Sequence, residues 1–301
     1  MKTEIFVVRA ENREEGIQKL LDQFDLREFG GKKVAFKANF NSADPFPAST
    51  HLDTLRTLIN GLKKARTDAI TLAERSGMGN TRTIFEQRGV TELAAELGFE
   101  VLALDKLAEE GWVRLEPKAS HWKRGFLLAK VFHEADRVAQ TCCLKTHRFG
   151  GHFTMSLKNS VGLAARFDPK DGYDYMAELH SSENQRLMIA EINQTYKNDL
   201  IVMDATKAFV SGGPETGDSV KPDVILAGKD RIAIDAVGVA ILRLFGTTPE
   251  ISEGRIFQQE QIARAVELGI GIQSAKDIQL TPLDAESEKL VQKIERSLEA
   301  E

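Results

Sequence analysis

Short apolar runs alternate with amphipathic stretches along most of the chain. Residues 4–8 and 33–38 are mostly apolar stretches of strand length. Residues 52–62 carry leucine and isoleucine at helical spacing, and the apolar run 68–73 follows them. Strand, helix and strand in this order form a βαβ unit, which predicts parallel pairing.

The same rhythm continues to about residue 245, and the last fifty residues are charged with two helical stripes of apolar residues. We therefore predict an α/β fold in which a largely parallel sheet, or sheets, is flanked by helices, with room for two lobes around a cleft and a helical C-terminus. The expected domains are an α/β domain over 1–245, with a lobe break near 116–122, and a helical extension over 246–301. Further strands are predicted at 100–104, 137–144, 199–204 and 223–227, and further helices at 14–24, 92–97, 183–192 and 230–245.

Composition and charge remove several classes of function. The chain is 42% apolar and 28% charged, as in ordinary globular proteins, and 45 acids against 40 bases leave a net charge of −5. A mildly acidic chain offers no broad positive field, so we expect no nucleic-acid partner. No apolar run is long enough for a membrane span or a signal peptide, which predicts a cytoplasmic protein with no membrane partner.

The two cysteines, Cys142 and Cys143, are adjacent. In a strand their side chains point to opposite faces, so they do not make a disulfide framework. They also cannot supply the four thiolates of an iron–sulfur cluster.

Polar residues follow several predicted strands, and ligands of parallel α/β sheets bind beyond the carboxyl ends of the strands. Lys37 and Asn39 lie at the end of the second strand, where they are candidates to fix an anionic ligand. An exposed cation with a turn-forming asparagine is the alternative. Glu74 and Ser76 open a glycine-containing loop after the next strand. Such a loop can bind an anion at the start of a helix, although an ordinary tight turn is an equal alternative.

The densest group of candidate residues lies between 144 and 159. Lys145, His147, Lys158 and Asn159 gather cations and an imidazole after an apolar strand, where packing alone does not account for them. His147 can transfer protons near neutral pH, and either lysine can polarise a carbonyl or hold an oxyanion. Two histidines in this stretch do not define a metal site, and we predict none.

Two acids and a glycine pair complete the candidates. Asp204 lies at the end of a predicted strand and can orient a histidine, and Gly212 and Gly213 allow backbone to approach a ligand. Asp235 lies among small apolar residues, which predicts that it is buried and paired, whereas Asp230 is expected to cap a helix.

Taken in order, these motifs resemble the domain of unknown function 362 over about residues 34–245. The resemblance implies an iron–sulfur association, because many members of the family carry a ferredoxin-like module; in this chain the two cysteines predict no intrinsic cluster. The chain departs from the family pattern at Ala38, where proline is usual, and that weakens the role expected for Lys37. The residues that carry the resemblance are Lys37-Ala38-Asn39, Glu74-Arg75-Ser76, Ala135-Asp136, Leu144-Lys145-Thr146-His147, Leu157-Lys158-Asn159 with Gly162, Asp204, Gly212-Gly213-Pro214, and Ala227-Gly228 with Asp230 and Asp235.

Two functions remain open from the residues. The first is an enzyme, an isomerase, epimerase or oxidoreductase, that acts on a small anionic metabolite in a basic cleft by acid–base or proton-coupled redox chemistry. In that case Asp204 or Asp235 is expected to set the tautomer of His147. The second is a non-catalytic binding protein, the partner of a separate iron–sulfur or electron-transfer protein. The sequence assigns no cofactor to either.

Overall fold

A computed structural model describes residues 2–299. The strands are β1 Thr3–Arg9, β2 Lys33–Lys37, β3 Ala69–Glu74, β4 Glu100–Ala103, β5 Trp112–Leu115, β6 Phe126–Ala129, β7 Arg137–His147, β8 His152–Thr154, β9 Leu200–Phe209, β10 Ser219–Val220, β11 Val224–Gly228 and β12 Ile278–Pro282. The helices are α1 Arg13–Leu21, α2 Leu52–Lys64, α3 Thr81–Gln87, α4 Val90–Leu97, α5 Lys130–His133, α6 Ser156–Asn159, α7 Tyr175–Ser181, α8 Gln185–Ile192, α9 Arg231–Leu244, α10 Pro249–Ser252, α11 Glu260–Glu267 and α12 Ala285–Glu299. Short 3-10 helices join several of them.

A central sheet holds most of the strands in the order β12-β1-β11-β9-β7-β2-β3-β4. Only β11 runs against its neighbours in this series, so the sheet is largely parallel. Strands β8 and β10 add short antiparallel pairings to β7 and β9, and β5 pairs with β6 in a separate sheet. The α/β fold with a mostly parallel sheet flanked by helices is confirmed.

Apolar cores cover both faces of the sheet. Helices α9 and α12 pack on one face and α1, α2 and α4 on the other, so the central strands are buried on both sides. This burial explains their nearly continuous apolar sequences. A third core lies between the β5–β6 hairpin and helices α7 and α8. The expected lobe break at 116–122 falls in the connection between β5 and β6.

Two central strands continue beyond their predicted ends. Strand β7 runs to His147 and β9 to Phe209, because the ladder between them continues past a register shift at Cys143 and Lys145. The prediction that Asp204 lies at the end of a strand is therefore wrong: Asp204 lies in the middle of β9. Lys145 and His147 likewise belong to a strand, where hairpin partner β8 holds them in register.

The C-terminal region contributes a strand that the sequence analysis did not foresee. Residues Ile278–Pro282 pair with β1 and form one edge of the central sheet. The helices of this region match the expected amphipathic stripes, with Leu290 and Ile294 of α12 buried. Within residues 2–299, no helix combines the length and apolarity required to cross a membrane.

Candidate active site

A cavity of about 740 Å³ opens at the carboxyl ends of β2, β3 and β7. This volume suits a small-molecule ligand. Lys37 and Glu74 are the last residues of β2 and β3, and His147 is the last of β7. The other predicted site residues that line the cavity are Asn39, Lys145, Lys158 and Asn159. Parallel strands bring residues that are far apart in sequence to one edge of the sheet.

Lys37 and Glu74 form a buried ion pair on the cavity wall. Lys37 Nζ lies 2.6 Å from Glu74 Oε2 and donates a second hydrogen bond, of 3.0 Å, to Asn159 Oδ1. The Glu74 carboxylate also accepts the backbone N–H groups of Phe40 and Arg75. Lys37 is therefore not the exposed cation of the alternative interpretation, because it is buried and the carboxylate of Glu74 neutralises its charge.

Lys145 is fully buried and is bonded to neutral groups. Its Nζ donates to Asn39 Oδ1 at 2.7 Å and to the carbonyl of Ala48. An ammonium group has three N–H donors, and no third acceptor lies in hydrogen-bond range within the described chain. Because Lys145 lines the cavity, its remaining donor is available to a ligand.

Lys158 and His147 meet on the same wall. Lys158 Nζ lies 3.1 Å from His147 Nε2, and this is its single hydrogen bond among residues 2–299. When Lys158 donates to Nε2, the ring proton of His147 lies on Nδ1, which is buried without a partner in that same range. The hydroxyl of Thr154, also buried on the cavity wall, has no partner there either. Unpaired buried polar atoms beside a cavity are groups that a ligand can satisfy.

Burial and mutual repulsion shift the titration of this cluster. Burial, followed by the charges of Lys145 and Arg75, lowers the pKa of Lys158 to about 7. Burial and the neighbouring Lys158 lower the pKa of His147 far below its ordinary value, so the imidazole is neutral at neutral pH. Burial also lowers the pKa of Lys145, and it lowers that of Arg75 to about 10. Among these four side chains, Lys158 is consequently the one that titrates near neutral pH.

Asp235 supports the site from behind. Its carboxyl oxygens accept the backbone N–H groups of Ser156 at 2.7 Å and Leu157 at 3.0 Å. These donors open α6, the short helix that carries Lys158 and Asn159. Burial raises the pKa of Asp235 to about 8. The expectation that Asp235 is buried and paired is confirmed, and its contacts make it an anchor for α6.

The expected pairing of His147 with Asp204 or Asp235 is wrong. Asp204 accepts hydrogen bonds from Arg13 at 2.9 Å and Thr54 at 2.6 Å, and it does not line the cavity. Its position inside β9 turns it towards the face that α1 and α2 cover. In the described chain the only side chain bonded to the His147 ring is Lys158.

Three other predicted residues lie behind the cavity wall. Ser76 is buried and donates to the carbonyl of Phe40. Gly212 and Gly213 adopt positive φ and pack against the end of β7, where a Cβ on Gly213 would come 2.0 Å from the Thr146 carbonyl oxygen. Pro214, the next residue, reaches the cavity. The glycine pair therefore shapes the site through backbone contact.

Sequence reasoning missed several residues of the cavity. Arg75 was quoted only as part of a motif, yet its guanidinium lines the wall and donates to the carbonyls of Ala164 and Val161. Met78 and Phe149 line the mouth with 47% and 49% of their surfaces exposed. A glycine-rich turn and a short hairpin gave no pattern that distinguishes such a rim from an ordinary loop. Gly162, part of the family motif, and His180, a reserve candidate from its place beside two serines before a helix, also line the cavity. The other missed lining residues are Asn41, Gly77, Thr154, Val161, Arg166, Asp174, Met176 and Ala177.

The charges of the cavity do not balance. Lys37 is paired with Glu74, and Arg166 lies 3.9 Å from Asp174. Arg75, Lys145 and Lys158 also line the cavity, and each is bonded to uncharged acceptors within the part of the chain described here. Such an arrangement favours a ligand that brings negative charge.

The protein is of the α/β class, with a basic cavity at the carboxyl ends of its strands. A match to a protein family identifies it more closely. The family model for the domain of unknown function 362 (DUF362) matches residues 34–240. The chain belongs to this family. No curated protein matches it significantly.

Among solved structures, the chain is similar to the lactate racemase apoprotein from Thermoanaerobacterium thermosaccharolyticum. The two share 11% sequence identity with a TM-score of 0.49, over 96% of this chain and 85% of the other.

Proposed function

We propose that this protein is an enzyme that binds a small anionic metabolite in the basic cavity and transfers a proton to or from it through Lys158. The observation that carries the proposal is the set of cations bonded to neutral groups. Arg75 and Lys145 lie on the wall beside Lys158 without a bonded carboxylate in the described structure. A carboxylate or phosphate of the ligand supplies the missing negative charge.

Lys158 is the proton-transfer group of the proposal, and His147 is its partner. An effective acid or base has a pKa near the working pH, and that of Lys158 is lowered to about 7. Neutral His147 accepts a hydrogen bond from Lys158 through Nε2 and orients the amine. Isomerases and epimerases transfer a proton at a carbon atom beside an anionic group. A proton-coupled redox reaction uses the same transfer, and a separate cofactor or partner then takes the electrons.

The mouth of the cavity adds a requirement on ligand shape. Met78 and Phe149 are apolar and exposed at the rim, whereas the cations lie deeper on the wall. A ligand with an anionic end and a carbon skeleton therefore fits better than a compact inorganic ion.

Hydrogen–deuterium exchange tests the proposal. The protein is incubated in D₂O with a panel of 2-hydroxy and 2-oxo carboxylates, and NMR follows the loss of carbon-bound protons. Binding is measured in parallel by titration calorimetry. The expected result is binding and exchange in the wild-type protein, with exchange lost and binding retained in Lys158→Met.

Two further variants complete the experiment. Lys145→Met is expected to weaken binding on the order of 10–100-fold, because a charge-assisted hydrogen bond to the ligand is removed. Lys229→Met is the matched control, since Lys229 is exposed, pairs with Glu28 and lies outside the cavity. Binding without exchange under all conditions would favour a non-catalytic binding protein, and absence of binding across the panel would reject the anion site itself.

A further inference from the structure

We infer that Lys158 is a nucleophile that forms an imine with an anionic aldehyde or ketone, so that the ligand of this site is an anionic carbonyl compound. This inference rests on the proposed function, because it places the same class of ligand in the same cavity. It goes further by assigning a covalent bond to one atom, Lys158 Nζ.

The three buried-site lysines differ in how many acceptors hold the amine. Lys37 Nζ donates to Glu74, Asn159 and the carbonyl of Ala38, which uses all three N–H groups. Lys145 Nζ donates to Asn39 and to the carbonyl of Ala48. Lys158 Nζ makes one hydrogen bond within residues 2–299, with His147. Its nitrogen is therefore the least constrained of the three and the most accessible to an electrophile.

Among residues 2–299, no carboxylate holds Lys158 in its charged form. Glu74 is bonded to Lys37, and Asp174 lies 3.9 Å from Arg166. The other charged groups that act on Lys158 are Lys145 and Arg75, which disfavour a third positive charge. A neutral amine has the lone pair that attack on a carbonyl carbon requires, and desolvation near other cations is an established way to produce one.

The chemistry balances without an oxidant or a further reactant. Lys158 Nζ attacks the carbonyl carbon, a carbon–nitrogen bond forms, and the carbonyl oxygen becomes a hydroxyl group. The proton that nitrogen loses passes through a water molecule to the former carbonyl oxygen, while His147 Nε2, 3.1 Å from the amine, accepts a hydrogen bond from nitrogen and orients it. Water then leaves, and the product is an imine between Lys158 and the ligand.

The anionic end of the ligand has its own contacts. Lys145 has one N–H left, and Arg75 uses Nε and Nη2 for backbone carbonyls while Nη1 has no bonded protein acceptor among the described residues. Both side chains line the cavity with Lys158. These donors select a carbonyl compound that also carries a carboxylate or phosphate over a neutral one.

Reductive trapping tests the inference. The full chain is incubated at pH 7 with glyoxylate or pyruvate and sodium cyanoborohydride, and acetaldehyde and acetone serve as neutral counterparts. Intact-mass spectrometry measures the adduct, and peptide mapping locates it. We expect one adduct on Lys158 from the anionic carbonyls, forming at least about tenfold faster than on the exposed Lys229, because more of the Lys158 amine is neutral. Competition by glycolate, a carboxylate without an aldehyde or ketone group to form an imine, is expected to slow it.

Variants and a parallel measurement make the outcomes distinct. The adduct is expected to disappear in Lys158→Arg and to persist in Lys229→Arg, with thermal unfolding used to confirm that both variants fold. Peptide mapping of the wild-type protein gives the answer independently if Lys158→Arg does not fold. Glycolate binding by calorimetry without a preferred adduct on Lys158 would overturn the imine and leave the anion site standing. If glycolate does not bind and no adduct forms, both the anion site and the imine are overturned.

Discussion

Lys37 Nζ and Glu74 Oε2 lie 2.6 Å apart, and both side chains are almost completely shielded from solvent. The pair joins the ends of neighbouring strands β2 and β3. Gly162 packs directly against it, since a Cβ at this position would come 2.2 Å from Glu74 Oε1. One buried contact thus fixes two strands and the segment that follows α6.

Glu74→Gln is expected to destabilise the protein by about 3–5 kcal/mol, because it leaves the charge of Lys37 buried without a counter-charge. Urea unfolding monitored by circular dichroism measures the change. The exposed pair of Arg56 and Glu96 provides the control, and Glu96→Gln is expected to change stability by less than about 1 kcal/mol. Equal effects in the two variants would contradict the assignment of a buried ion pair.

Asp235→Ala is expected to lower stability by about 1–3 kcal/mol, because it leaves the N–H groups of Ser156 and Leu157 buried without an acceptor. It is also expected to weaken glycolate binding, since α6 carries Lys158. Asp230→Ala is the matched control: Asp230 also accepts two backbone N–H groups, those of Ala233 and Ile272. That variant is expected to lose about 1 kcal/mol and keep its binding. Intact binding in both variants would show that Asp235 does not position the site.

Gly151→Ala is expected to disturb the site more than the fold. The added methyl group would come 2.6 Å from Lys158 Cε and 3.0 Å from His147 Nδ1. Both contacts are with side chains, and the lysine is flexible and able to move away. We therefore expect a change of less than about 1.5 kcal/mol in unfolding free energy but a clear loss in the rate of reductive trapping at Lys158. A trapping rate equal to that of the wild type would argue against a defined contact between Lys158 and His147.

The contribution of Lys158 to stability is expected to increase as pH rises above 7. The amine loses its proton near pH 7 in the folded state and near its ordinary value of 10.5 when unfolded. Between these values the unfolded chain binds more protons, so raising the pH favours the folded state. Lys158 contributes at most about 1.4 kcal/mol per pH unit.

Urea unfolding of the wild type and Lys158→Met at pH values from about 6 to about 9 isolates this contribution. Lys37 and Lys145 also have lowered pKa values, but they are present in both proteins. The wild type is expected to gain stability relative to Lys158→Met as pH rises. Parallel stability curves would contradict the lowered pKa of Lys158.

The two cysteines are expected to react slowly in the folded protein. Both are buried, and burial raises the pKa of Cys142 and raises that of Cys143 to about 12. Since the thiolate is the reactive form, alkylation by iodoacetamide at pH 8 is expected to be more than about a hundredfold slower than in urea. Mass spectrometry over time measures it. Rapid labelling of either cysteine before unfolding would reveal a reactive thiol.

The sequence predicted most of the central sheet because its strands are buried on both faces and appear as apolar runs. The same logic failed at β12, whose Ile278 and Leu280 alternate with polar residues and precede Pro282. Proline is compatible with an edge strand but gives no positive signal for one. The helical spacing around it suggested only helices.

For the site, sequence order was enough to place Lys37 and Glu74 at strand ends, since parallel strands bring their carboxyl ends together. It was not enough to find the partner of His147. That contact depends on the turn after β8, which returns α6 towards the end of β7 and brings Lys158 to the imidazole. Asp204 was misplaced for a related reason: the length of β9 is set by its pairing with β7, which no local pattern reports.

Because Lys145 and Arg75 are buried against neutral acceptors, ligand binding and folding stability favour different residues at these two positions. Replacing each buried cation by an apolar side chain of similar size is expected to stabilise the folded protein. The positions that bind the ligand are therefore also positions where substitution can raise stability. A directed-evolution campaign scored on heat resistance alone is therefore expected to enrich methionine or leucine at these sites first. The resulting proteins would unfold at higher temperature and would no longer bind an anionic ligand.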